Sequence, residues 1–202
     1  MSAALAQVYS TGYSARTVQA TRRDGVSVVS QTISLTPQAD EAFNGVLYKK
    51  ASKATQTTAD GLTLGDTRSV YFAASPFMLH GGASATGSAY TITSPRAGLP
   101  STARVGDSGE FFSSVTYNDS TRMVITAISE VTWSMESDGS ADGQTAYACI
   151  NTVVTDYTSA SRPVARGSEC YRIDAATGTM LGLRVKLTYR DVNGVEELLD
   201  LR

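Results

Sequence analysis

The sequence predicts an all-β, mainly antiparallel protein: a meander closing into a barrel or a sandwich, with at most one or two short helices. Three observations carry this. Apolar and polar residues alternate with period two over long stretches, Asp-Gly and Asn-Gly pairs punctuate them, and no helical segments recur between them. Parallel strands would need long crossovers, which the spacing does not leave.

The predicted strands run in order along residues 16–23, 26–35, 62–74, 88–94, 111–117, 122–136, 144–156, 168–174, 180–190 and 195–201. Asp24-Gly25 divides the first two, a strong hairpin signal, and Asn193-Gly194 divides the last two. Asp60-Gly61, the small-residue run Gly81 to Gly87 and the stretch Asp138 to Gly143 mark further breaks. Between Thr36 and Phe43 a short helix is expected over Pro37–Phe43, with Thr36 as cap and Pro37 in the first turn.

From Met123 to Glu136 one face carries Met123, Ile125, Ala127, Ser129, Val131, Trp133 and Met135; the other carries Val124, Thr126, Ile128, Glu130, Thr132, Ser134 and Glu136, mostly polar beyond Ile128. The first face is expected to be buried, with Ile125, Val131 and Trp133 as its core. Leu183, Val185, Leu187 and Tyr189 alternate with Arg184, Lys186, Thr188 and Arg190 in the same way.

At 202 residues with 42% hydrophobic content, the chain is long enough for a substantial core. A single β-rich domain over 1–202 is expected, with a candidate internal boundary near 95–102, where Pro95, Gly98 and Pro100 cluster. Ser and Thr supply 49 residues, dispersed through the alternating patterns, which suits a solvated sheet surface better than a glycosylated stalk. A net charge of −2 gives no general attraction to nucleic acid or anionic membrane. No apolar run reaches the ~20 residues of a spanning helix.

The two cysteines are the most informative pair. If residues 144–156 and 168–174 pair antiparallel with Cys149 opposite Cys170, Ala148 meets Tyr171, Tyr147 meets Arg172 and Ala146 meets Ile173. Ala146, Ala148 and Ile150 then share a face with Tyr171 and Ile173, and the cysteines lie on the more polar one. A disulfide there implies an oxidising compartment, hence the periplasm or cell envelope. Residues 1–10 carry no export signal, so a leader is expected upstream of this chain, where a lipid anchor would also fit.

The candidate chemistry is sparse. Gly106-Asp107-Ser108-Gly109 resembles the nucleophile segment of chymotrypsin-like serine proteases over four residues, with Glu110 where that family has glycine. A triad needs a histidine, and His80 is the only one in the chain, so a turn is the expected role. Asp138-Gly139-Ser140-Ala141-Asp142-Gly143 copies the first half of a calcium loop, but Cys149 stands where the bidentate glutamate belongs. Glu130 and Glu136 lie on one strand face roughly 20 Å apart, too far for a glycosidase pair. Phosphate-binding glycine motifs are missing. Tyr71, Tyr90, Tyr117, Tyr147 and Tyr189 read as half-buried strand residues rather than a ligand platform.

No catalytic residue, metal site or cofactor is therefore assigned. The sequence favours a non-enzymatic cell-envelope protein binding an unknown small ligand or protein partner, with no nucleic acid and no membrane span. The alternatives are an envelope enzyme whose acidic site assembles from loops, and a phage or surface-appendage structural subunit.

Overall fold

The computed structural model describes residues 1–140, 143–190 and 196–202. One helix, α1 (Ser2–Thr11), precedes twelve strands: β1 (Tyr13–Thr21), β2 (Val28–Phe43), β3 (Val46–Ala59), β4 (Leu62–Ala74), β5 (Phe77–Ser84), β6 (Tyr90–Pro95), β7 (Ser108–Tyr117), β8 (Ile125–Ser137), β9 (Thr145–Asp156), β10 (Val164–Asp174), β11 (Met180–Arg190) and β12 (Glu196–Leu201). Each strand pairs antiparallel with the next, in the order β1 through β12. The sheet curls until its ends meet: Gln19 and Arg202 exchange two backbone hydrogen bonds of 3.1 and 3.2 Å, and Arg22, just past β1, donates to Glu197 of β12 at 2.8 Å. The result is an up-and-down, nearly closed barrel.

Eight strands enclose a lumen that wall side chains just fill; twelve enclose more. One end of this lumen is filled by α1. Leu5, Val8 and Tyr9, spaced i, i+3, i+4, are its buried residues. Tyr9 packs edge-on to Phe72 and Tyr171 and tilted against Phe77. Ten residues make a marginal helix in water, so this packing holds it. Gly12 ends α1 at φ 66°, and a side chain there would lie 2.3 Å from the Leu35 carbonyl oxygen. The Met1 ammonium donates to Ser101 O, and Ser2 N donates to Pro100 O, so the β6–β7 connection closes over the helix with Leu99 buried. The candidate boundary at 95–102 falls on this connection.

The structure corrects the sequence reading in four places. The segment Pro37–Phe43 is strand, not helix. Pro37 lies beyond the last β1 partner, Leu35, so β2 is locally an edge there and tolerates a proline. A register shift between Gln38 and Glu41 then turns the hairpin end, so that Phe43 stacks on the outward-facing Tyr71 and on Tyr90, above Gly81. Strands β3 and β5 were not expected, because Lys49 to Thr58 has only Ala51 and Ala54 among polar residues and Gly81-Gly82 reads as a break. Helix α1 was not expected either. Ile125, assigned to the core, is 43% exposed, and Met123 at 82% precedes β8 altogether. Both lie at the hairpin end remote from α1. Val131 and Trp133 are buried, while Glu130 and Thr132 are exposed.

Strand parity sets the wall. Inward from β8 to β11 point Trp133, Ile150, Tyr171 and Val185; outward point Glu130, Glu136, Arg172, Arg184 and Lys186. The outer face of these strands is thus charged, unlike the apolar band of a lipid-facing barrel. No described helix is long and apolar enough to cross a membrane.

Candidate functional site

Cys149 pairs directly with Cys170 across β9 and β10, in the register that also pairs Ala148 with Tyr171 and Tyr147 with Arg172. Their sulfurs lie at bonding distance, 2.09 Å. Both cysteines are fully buried although they belong to the outer face, because charged side chains roof them. Arg184 grips Asp200 with two 2.6 Å hydrogen bonds and reaches Glu136 at 3.1 Å, where Lys186 also binds at 2.6 Å. The Glu136 carboxylate and the two sulfurs come within 4.8 Å of one another. Sulfurs bonded to each other are not thiolates, so this cluster offers no ordinary metal ligand set.

The remaining sequence candidates are occupied structurally. Arg104 to Asp107 form a turn closed by the Asp107 N–H donating to Arg104 O at 3.0 Å, and Ser108 opens β7 opposite Ser134. The His80 ring stacks on Tyr48, 4.2 Å between centroids, and burial lowers its pKa. Asp138 accepts from Arg172 at 2.7 Å and from Ser140 N at 2.9 Å, with Thr145 as a further donor. Ala141 and Asp142 of the calcium-like segment lie outside the described residues. Glu130 pairs with Arg96 at 2.8 Å, and Glu136 belongs to the roof just described. Tyr71 and Tyr90 flank Phe43, and the Arg184 guanidinium lies over Tyr147, 5.5 Å from its ring centre.

The feature that stands out lies inside the barrel. Above α1 the lumen holds a cavity of about 440 Å³, within the 300–1,000 Å³ typical of small-molecule sites. Its floor is a polar crossbar. Lys53 of β3 reaches Glu169 of β10, strands that are not neighbours in the sheet, so the ion pair spans the lumen. Tyr13 Oη donates to Glu169 Oε1 at 3.3 Å, Tyr171 Oη donates to the same oxygen, and Tyr9 of α1 completes the floor. Burial alone would push Lys53 down and Glu169 up, but each holds the other ionised: Lys53 lies above the usual lysine range and Glu169 below the usual carboxylate range. Burial, then the Glu169 charge, raises the Tyr13 and Tyr171 hydroxyls, which stay neutral donors.

The cavity walls mix hydroxyls and aliphatics. Ser114, Thr116, Ser129 and Thr152 alternate around the lumen with Val70, Leu79, Val131 and Ile150. Ser84 and Ala89, at the β5–β6 turn, mark the end remote from α1. Glu169 is the one carboxylate among the described lining residues, so a pair of catalytic carboxylates is not assembled here.

Sequence reading missed this floor, though one signal was present. The parity that places Tyr171 and Ile173 on the buried face of β10 also places Glu169 there, and a charge on a buried face requires a partner. No protein-family model, curated protein or solved structure matches this chain.

Proposed function

We propose that this chain is a non-enzymatic cell-envelope protein that binds a small ligand inside its barrel. The observation that carries the reading is the cavity above the Lys53–Glu169 crossbar. A lumen that served stability alone would be packed along its length, because voids cost free energy in proportion to their size. The walls combine apolar area with a few convergent polar groups, the usual composition of a ligand site. The cysteine pair at bonding distance supports an oxidising compartment.

The test uses the neutral dye N-phenylnaphthylamine, whose fluorescence rises in apolar surroundings. Titration should saturate at one dye per chain. Thr152→Phe and Thr91→Phe, which fill the lumen from two different walls, should each abolish the signal while circular dichroism and Tm stay near wild type. Absence of saturable binding, or binding indifferent to both substitutions, would refute the reading.

One observation favours the assembly-subunit alternative. Val26, Leu62 and Met123, at three hairpin ends remote from α1, are 84%, 71% and 82% exposed, and apolar residues at such tips suit contacts between copies. Light scattering decides: a monomer at micromolar concentration supports the ligand-binding reading, and a discrete ring supports the subunit.

A further inference from the structure

Lys53 and Arg68 are direct cross-strand partners on β3 and β4, and both line the cavity. Like charges directly opposite one another in a sheet destabilise it. Each has a carboxylate, but on opposite sides. Lys53 turns across the lumen to Glu169, whereas Arg68 holds Asp66, two residues along its own strand, with Nε donating to Oδ2 at 2.8 Å. The Arg68 and Asp66 side chains are 56% and 41% exposed, and an ion pair so open to water is held weakly.

The donor inventory has the same sign. Glu169 already accepts from Lys53, Tyr13 and Tyr171. The Lys53 ammonium carries three N–H groups and the Arg68 guanidinium five, and the described hydrogen bonds use one of the former and two of the latter. What Lys53 and Arg68 have left to offer is donated hydrogen bonds. The cavity wall is aliphatic at Val70, Leu79, Val131, Ile150, Val154 and Leu187. At the rim, Leu64 lies on the same strand face as Arg68 and is 76% exposed.

We propose that the cavity takes a single-chain amphipathic anion, its carboxylate or phosphate head held between Lys53 and Arg68 and its aliphatic chain running along the wall toward the rim. This rests on the reading of the lumen as a ligand site. The head group supplies the negative charge that the Lys53/Arg68 pair lacks between its members, and Arg68 releases Asp66 to form the forked contact that guanidinium makes with either oxyanion. The chain replaces water against the aliphatic wall.

The experiment is calorimetric titration with decanoate, decyl phosphate, decanol and decylammonium, matched in chain and different in head. Decanoate or decyl phosphate should bind at least about tenfold more tightly than decanol, as charge-assisted contacts on two cations require, and decylammonium most weakly. Whichever anion binds more tightly names the source of the head. In Arg68→Gln the preference for anion over alcohol should fall to about threefold or less, with Tm unchanged because Arg68 is half exposed. Lys53→Met should reduce it too, but that variant disturbs the crossbar, so Arg68→Gln is the deciding one. Equal binding of decanoate, decanol and decylammonium, with the neutral dye still displaced by each, would overturn the anion proposal and leave the cavity reading standing. Failure of the dye and of all four amphiphiles to bind would overturn both.

Discussion

Breaking the crossbar at one end should cost more stability than dismantling it. In Lys53→Met the aliphatic stem survives and the ammonium is lost, leaving the Glu169 carboxylate in the lumen with only the Tyr13 and Tyr171 hydroxyls as donors. Removing one partner of a buried pair costs about 3–5 kcal/mol, and the two tyrosines hold the loss toward the lower end of that range. Glu169→Gln strands the ammonium instead, at a similar cost. The double variant Lys53→Met/Glu169→Gln strands neither charge, and the glutamine oxygen still accepts from the tyrosines, so it should lie within about 1–2 kcal/mol of wild type. The coupling energy is then about 4–5 kcal/mol. For a chain of this length each kcal/mol moves Tm by about 2–4 °C, so either single variant should melt about 6–20 °C lower and the double should recover most of that. Urea unfolding with an unchanged m value provides the free energies. High salt should alter the coupling little, since both side chains are about four-fifths buried. Single-variant effects that add to within about 0.5 kcal/mol would mean that the pair does not form.

Other expectations concern the wall. Cys149→Ala/Cys170→Ala should lose about 3 kcal/mol, the chain-entropy value for a closure of 21 residues, and reductant should shift the Tm of wild type but not of the variant. Trp133→Ala should cost about 3–5 kcal/mol by cavity formation, whereas Glu130→Ala, which loses only an exposed pair with Arg96, should stay within about 1 kcal/mol; the reverse order would place β8 one residue out of register. On acidification Glu169 and Asp200 act together. Their pKa values lie below the ordinary 4.5 and 3.8, so the stability they contribute is complete above those values and is lost as the pH falls, through about 2 for Asp200. Tm should therefore be flat from neutrality to about pH 5 and fall below it, and Glu169→Gln should flatten part of that fall; an identical acid profile in the variant would contradict the assignment.

Much of the wall was legible because the barrel rewards the signal that period-two alternation provides. Glu130 and Thr132 face out, Val131 and Trp133 face in, and Cys149 meets Cys170, all from parity and turn position. The reading failed where a neighbour overrode local preference. Pro37 looks like a helix start, but β3 pairs with β2 beyond the end of β1 and makes it strand. In strand β3 the apolar residues beyond Tyr48 are only alanines, set among Lys, Ser, Thr and Gln, so hydrophobic periodicity has little to register. Helix α1 carries one short apolar stripe whose only support is the lumen, and a lumen is not visible in a linear pattern. The site was hidden for the same reason. Lys53 and Glu169 are 116 residues apart and meet only because β3 and β10 lie on opposing parts of a closed wall.

The inward faces change character along the barrel. Near α1, β4 contributes Phe72 and Val70; further along, the same face carries Arg68, then Asp66. On β7 Phe112 gives way to Ser114 and Thr116, and on β8 Trp133 and Val131 give way to Ser129 and Ala127. Three strands thus change from large apolar residues to small or polar ones, above a floor drawn by Lys53, Glu169 and the tyrosines. A uniform core would gain about 25 cal/mol for each Å² of apolar surface it buried, and any of these positions could hold an aliphatic side chain at no cost to the strand. Keeping them small and polar leaves the upper lumen hollow. The two halves of one barrel follow different rules, packing below the crossbar and space above it, and the space has the composition of a site rather than of a defect.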